Sequence, residues 1–172
     1  MIRLELLDET HLGYVDALLD DPDVLRFTRI PVPVPDGFAR TWVDMCEQAR
    51  RDGTREAFAA IDADGAFAGL ALAPEIDQEG RQLELGYIVS PGMRGRGIGS
   101  AILRALTAWA FEDVGAQRIF LLISAGNEAS LRVAERCGYV KEGVMRSLHL
   151  KQDIRGDATL WSRLPTDPDP DA

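Results

Sequence analysis

Val89-Ser-Pro-Gly-Met-Arg-Gly-Arg-Gly-Ile-Gly-Ser100 lies between a segment of alternating apolar residues and one of helical periodicity. Its closely spaced glycines let the backbone turn tightly and approach a ligand with no Cβ in the way. A helix opening near Ile98 starts with N–H groups that lack intrahelical acceptors, so they can cradle phosphate oxygens. Arg94 and Arg96 add positive charge. Together Arg94, Gly95, Arg96, Gly97, Ile98, Gly99 and Ser100 form a candidate anion site. The standard nucleotide loops do not fit. A GxGxxG pattern counted from Gly95 meets Ser100 at its last glycine, and a P-loop needs Lys and Ser or Thr where Ile98 and Gly99 stand. The stretch also comes halfway along the chain, not in a first βαβ unit. A purely structural turn is the other reading of these glycines.

Upstream, Leu83, Leu85, Tyr87 and Val89 alternate with Glu84, Gly86 and Ile88, which predicts a strand. Strand parity sets Glu84 on the face opposite Leu83 and Leu85. Downstream, Ile98, Ile102, Leu106 and Trp109 recur at helical spacing, and residues 118–124 form a short apolar strand. Residues 127–136 predict a helix closed by Gly138 at C′. Residues 139–150 and 158–164 predict a hairpin joined around Gly156-Asp157, while the polar, proline-rich 165–172 are expected to be disordered. Near the start, Ile2, Leu4 and Leu6 predict a half-buried strand. Thr10 is the expected cap of a short helix that ends at Asp20-Asp21-Pro22. Residues 24–35 hold three prolines and are expected to form an extended loop, with Asp36 capping the next helix. Residues 57–61 and 67–73 predict two strands joined by a turn at Asp64-Gly65. No repeat or linker divides the chain, so residues 1–164 read as one mixed α/β domain.

A length of 172 residues suffices for one sizeable core and is too short for two ordinary domains. With 46% hydrophobic and 27% charged residues the chain reads as globular, not disordered. Nineteen basic residues against twenty-eight acidic ones give a net charge of −9, which disfavours a nucleic-acid partner. The same excess suits a cationic amine, or serves solubility alone. Cys46 and Cys137 belong to no CxxC pair, no leader-like start is present, and no apolar run could span a bilayer. The expectation is a cytoplasmic protein without membrane attachment. His11 and His149 lack metal-ligand spacing, so no metal site is expected.

Arg94-Gly-Arg-Gly-Ile-Gly99 resembles the R/Q-x-x-G-x-G/A loop of the Gcn5-related N-acetyltransferase (GNAT) family, and Leu85-Gly-Tyr-Ile-Val-Ser-Pro91 precedes it as that family's strand does. Asp20-Asp-Pro-Asp-Val24, Asn127-Glu-Ala-Ser130, Arg136-Cys-Gly-Tyr139 and Glu142-Gly143 are similar, in order, to its ribosomal-protein N-terminal acetyltransferase subfamily. Asp157 and Trp161 fall where that subfamily's terminal hairpin often carries a polar and an aromatic residue. The resemblance covers nearly all of residues 1–164. It implies the GNAT acyl-CoA N-acyltransferase fold, an α/β (α+β) domain with a central mixed, mostly antiparallel sheet flanked by helices. Strands near Val89 and Phe120 would part to admit acetyl-CoA. The 94–100 loop would wrap its pyrophosphate, Ile88 and Val89 would line its pantetheine arm, and Asn127 would hydrogen-bond that arm. The implied acceptor is an amine on a protein N-terminus or a small molecule, and a homodimer is compatible with the subfamily.

Acetyl transfer needs a held thioester, a polarised carbonyl and an amine that has lost its proton. Glu84 is the candidate general base, since a carboxylate can take the ammonium proton directly or through water. Its bland alternative is an ordinary solvent-facing or ion-paired glutamate. Many family members carry a tyrosine seven residues after the asparagine as acid toward the leaving thiolate, and Ala134 stands there. Ser130, Tyr139 or water then remain as donors, with Ser130 the candidate; local backbone bonding is its alternative role. The competing functional class is a non-catalytic acyl-CoA-binding or sensing domain.

Overall fold

The computed structural model describes residues 1–170. Seven strands form one sheet: β1 (Arg3–Leu6), β2 (Glu56–Ile61), β3 (Phe67–Asp77), β4 (Gln82–Val89), β5 (Arg118–Ser124), β6 (Val140–Lys151) and β7 (Ile154–Arg163). Their spatial order is β1-β2-β3-β4-β5-β7-β6, and every pairing is antiparallel except β4 with β5. This is the expected mixed, mostly antiparallel sheet.

Helices cover both faces, so β2 carries apolar side chains on each side and reads as a continuous run. Its Phe58 and Ala60 join Leu83, Leu85, Ile102, Leu103 and Leu106 under α4 (Ile98–Glu112) and α5 (Glu128–Arg136). Its Ala57, Ala59 and Ile61 pack instead with Val15, Leu18 and Val43 of α1 (Leu12–Leu18) and α3 (Phe38–Arg51). Cys46 sits in this second core and Cys137 in the first, both buried. Among the described residues no helix is long and apolar enough to cross a membrane.

Several local expectations are corrected. Thr10 does not cap α1: Asp8 accepts from its amide and starts a short 3₁₀ turn over Glu9–His11 that runs into the helix. α1 ends at Leu18, just ahead of Asp20-Asp21-Pro22, and the proline, well placed at a first helical turn, begins a new helix. With Asp21 as N-cap it opens α2 (Pro22–Phe27), which takes up the first residues of the 24–35 segment expected to be a loop. The cap of α3 is Gly37, left-handed at φ 69°, in place of Asp36. The closing hairpin turns at Gln152 and Asp153, both at positive φ, so Gly156 and Asp157 lie within β7. Beyond β7, Arg163 donates to the Pro168 carbonyl and Asp167 accepts from the Leu164 amide. Residues 171 and 172 lie outside the described residues.

Candidate active site

The sheet opens at its one parallel pairing. β4 and β5 are matched at Gln82 with Arg118, Leu83 with Ile119 and Glu84 with Phe120, and then part. β4 continues five residues to Val89 on its pairing with β3, while β5 continues to Ser124 on its pairing with β7. The gap therefore has a firm strand on each side. Glu84 occupies the last rung before it.

Glu84 is 7% exposed, and Arg29, from the segment after α2, donates to its Oε1 at 2.6 Å. Burial pushes the Glu84 carboxyl above its ordinary value, and the Arg29 guanidinium pulls it partly back. Glu75, directly across on β3, adds like-charge pressure in the same direction as burial. The Arg29 side chain is 59% exposed, whereas the backbone around it is pinned: Lys151 of β6 donates to the Thr28 and Ile30 carbonyls. Glu84 Oε2 is left to other partners. His149, also on β6, feels the same guanidinium, and burial lowers its pKa.

At the far end of β4 the chain makes a 3₁₀ turn, Pro91–Met93, and then the glycine loop. Gly95 and Gly97 are both left-handed at φ 76°, and Gly97 is the N-cap of α4. A Cβ built at either would meet nothing within 4 Å, so both present bare backbone to open space. Left-handed residues at alternate positions turn successive N–H groups toward one side, which is the geometry of an anion nest. The first turn of α4 adds its free N–H groups and the positive end of its dipole. A pyrophosphate fits this cradle. Gly99 serves packing instead, since a Cβ there would lie 3.3 Å from Tyr87 Cε2 and 3.4 Å from Val133 Cγ2.

The arginines divide. Arg94 is held by Asp21 through bonds of 2.9 and 3.1 Å and lies 3.6 Å from Asp23, tying the loop to the start of α2. Its bond to Asp21 holds that carboxyl below its usual range. Arg96 is exposed and reaches Met93 Sδ at 3.6 Å, which leaves its cation facing solvent beside the cradle. Ile88 and Val89 point to opposite faces, Ile88 into the core under α1 and α3 and Val89 toward Gly99. Ser100 is buried in the first turn of α4, where its carbonyl accepts from Cys137.

Across the gap, Asn127 caps α5, its Oδ1 accepting from the Ser130 amide at 3.2 Å. Tyr87 donates to Ser130 Oγ at 3.3 Å. Ala134 is fully buried in the core under α4 and α5. Tyr139 is equally removed, with its hydroxyl 2.7 Å from Thr107 Oγ1 in the same core and its pKa driven up by burial. Trp161 is also core, donating to Thr159 Oγ1. Asp157 accepts from the Ser147 amide and so shapes β6. Glu142, part of the motif after Gly138, takes a bidentate pair from Arg118 at 2.7 Å, which with Ser162 pulls its carboxyl down to about 2. The described residues contain no cluster of three or more metal-ligating side chains.

The structure thus brings Glu84, the 94–100 loop and Ser130 around one gap. Sequence reasoning passed over Arg29, the Asp21–Arg94 tie and the Tyr87–Ser130 pair, whose partners lie 55, 73 and 43 positions apart.

A parted parallel pair in a mixed, mostly antiparallel sheet flanked by helices is the fold that the GNAT resemblance implies. In agreement, residues 2–140 match the family model described as "Acetyltransferase (GNAT) domain", and the chain belongs to that family. It is 36% identical over 101 residues to "Putative ribosomal N-acetyltransferase YdaF" of Bacillus subtilis (strain 168), a match covering 59% of this chain and 55% of that protein. The chain thus aligns with little more than half the length of that relative. Among solved structures, spermidine N-acetyltransferase from Vibrio cholerae in complex with CoA and spermine superposes with a TM-score of 0.85 at 19% identity, over 96% of both chains. RimL, a ribosomal L7/L12 α-N-protein acetyltransferase in complex with CoA, gives 0.86 at 20%, over 95% of this chain and 93% of that one.

Proposed function

We propose that residues 1–164 transfer an acetyl group from acetyl-CoA to a primary amine by direct attack in a ternary complex. The observation that carries this reading is the placement of buried Glu84 on the last paired rung of β4 and β5, with the open Gly95–Gly97 cradle at the end of the same strand. The cradle would hold the pyrophosphate through the N–H groups that begin α4, with Arg96 adding attraction. Pantetheine would lie along the freed edge of β4, where main-chain groups of Ile88 and Val89 and the Asn127 side chain are at hand. The thioester would then rest beside the fork.

An aliphatic ammonium has no lone pair, so the acceptor must lose a proton before it attacks the carbonyl carbon. Glu84 takes that proton, directly or through one water. Burial raises its basicity, and the Arg29 guanidinium offsets part of that rise. As the C–N bond forms and the C–S bond breaks, the electron pair leaves on sulfur, where Ser130 donates a hydrogen bond, and the second proton of the attacking nitrogen passes through solvent to the departing thiolate. Among the described residues no activated nucleophile lies at the fork, which favours direct attack over an acyl-enzyme.

The acceptor is either a protein N-terminus or a small amine. Relatives and neighbours are named for ribosomal-protein and spermidine acetylation, so both classes belong in the test. A cytoplasmic setting, where acetyl-CoA is supplied, completes the reading. The deciding experiment is a panel of amines and peptides with acetyl-CoA, read by thiol release and product mass. Acetylated product supports the proposal. CoA affinity with no thiol release above background would establish the binding-domain alternative instead.

A further inference from the structure

The family tyrosine absent at Ala134 leaves the thiolate end of the site short of a phenol, and a different phenol stands at the gap. Tyr87 is on β4 beyond the fork, and Ser130 is in the first turn of α5, which follows β5. Their hydrogen bond therefore spans the two walls of the opening. We propose that Tyr87 is a positioning residue for Ser130: by donating to Ser130 Oγ it turns the serine hydroxyl into an oriented donor toward the leaving sulfur. This rests on the transferase reading above.

A phenol hydroxyl has one hydrogen to give, and so has a serine hydroxyl, whose rotor is otherwise free to choose among neighbours. In the first turn of a helix a serine readily spends its hydrogen on nearby backbone. A donor arriving at Oγ from the opposite wall occupies a lone pair and selects the rotor positions that point away from β4. The serine backbone is already fixed, because its amide donates to Asn127 Oδ1. The Tyr87 ring is fixed too, wedged against Gly99 where any side chain would press on it at 3.3 Å, with Val133 alongside. Burial pushes the Tyr87 phenol up to about 12, so it stays protonated, and a donor, across the working pH range. The 3.3 Å separation is longer than a closed O–H···O bond, as is common for site hydrogen bonds that tighten on binding ligand. Sulfur leaves as a thiolate, a far weaker base than an alkoxide or phenolate. Stabilisation by a donated hydrogen bond is therefore enough, and no proton leaves Ser130 or Tyr87.

The test is Tyr87→Phe, which keeps the ring and removes the hydroxyl, made in the parent and in a Ser130→Ala background. Single-turnover acetylation of an acceptor taken from the panel reads the chemical step, and titration with CoA reads binding. In the parent background the rate falls roughly three- to ten-fold, the worth of one neutral hydrogen bond. CoA affinity stays unchanged, and the thermal midpoint falls by no more than about 2–4 °C, the worth of the same bond to the fold. In the Ser130→Ala background Tyr87→Phe has no further effect, since the two residues act as one unit. An unchanged rate, an equal loss in both backgrounds, or a loss confined to CoA affinity overturns the inference alone. A parent with no thiol release on any amine refutes the transferase reading first and this inference with it.

Discussion

Replacing Gly97 with valine tests the cradle, and a matched control separates its two effects. Gly97 is left-handed, so any side chain is strained there, at about 1–3 kcal/mol for a non-glycine residue in a sparsely populated region. A domain with about 5–15 kcal/mol of stability survives that. Nothing in the protein lies within 4 Å of the new Cβ, so the fold has no steric reason to change. The branches instead fill the space where phosphate oxygens must meet N–H groups. Two charge-assisted hydrogen bonds lost, at about 1.5–3 kcal/mol each, amount to about 3–6 kcal/mol. That weakens CoA binding by roughly 10²- to 10⁴-fold. Gly65→Val is the control: Gly65 is also left-handed, at φ 82°, and also open, but it lies in the β2–β3 turn. Both variants should lose similar thermal stability, and only Gly97→Val should lose affinity by calorimetric titration. CoA affinity in Gly97→Val equal to that of the parent would refute the cradle.

Glu84→Gln should lower kcat/KM by roughly 10²- to 10⁴-fold while leaving CoA affinity intact, and higher pH should restore part of the loss because more amine is already deprotonated. A variant matching the parent in kcat at every pH would remove Glu84 as the base. Arg29→Ala takes away the cation that pulls the Glu84 carboxyl down, so its pKa rises and the acid limb of the pH–rate profile moves to higher pH; a limb that stays in place would count against the ion pair. Glu142 is depressed in the folded protein to about 2 from an ordinary 4.5, so its contribution is complete above about 4.5 and disappears as pH falls toward 2. Glu142→Gln should flatten acid unfolding in that window, modestly because the pair is more than a third exposed on the Glu142 side, and unaltered acid unfolding would deny the Arg118 pair that role.

Where a segment's structure follows from its own residues, the sequence is a sufficient guide. The alternation over Leu83–Val89 sets the strand and the parity of Glu84, and the glycine spacing marks the cradle and the start of α4. The N-terminal region departs from expectation because the same residues carry opposite meanings in different places. Asp21-Pro22 stops one helix only by starting the next, and three prolines after residue 30 draw the whole of 24–35 into a loop that begins later. Gln152 and Asp153 turn the final hairpin in left-handed conformations that Gly156 was expected to supply. Long-range polar pairs have no local signal at all. Glu84 faces Arg29, and Arg94 faces Asp21, because the fold brings both ends of α2 to β4 and its loop; no periodicity or motif marks Arg29, and the motif that contains Asp21 does not point to Arg94. The positive charge on Arg94, read as attraction for phosphate, is largely answered by Asp21 and Asp23.

Strand parity also explains how one strand can serve both halves of the proposed reaction. Glu84 and Tyr87 are three residues apart on β4, an odd number, so their side chains leave opposite faces of the sheet. Glu84 emerges toward the segment after α2, where Arg29 and the Lys151 anchor define the acceptor side. Tyr87 emerges toward α5 and Ser130, on the side that holds Val133 and the start of α4. A thioester carbonyl placed in the gap between these faces has its attacking amine on one and its departing sulfur on the other. That division matters because the two ends need opposite electrostatics: a proton acceptor for the amine, a hydrogen-bond donor for the thiolate. Pairing continued through the fork, parallel or antiparallel, would close the gap with cross-strand hydrogen bonds and leave both ends without a meeting point. The end of the β4–β5 pairing after three residues is therefore the feature on which the proposed chemistry depends. In the proposed reaction the acceptor would enter on the side framed by residues 28–30 and the end of β6, so these are the positions at which a choice between protein and small-molecule amines would be made.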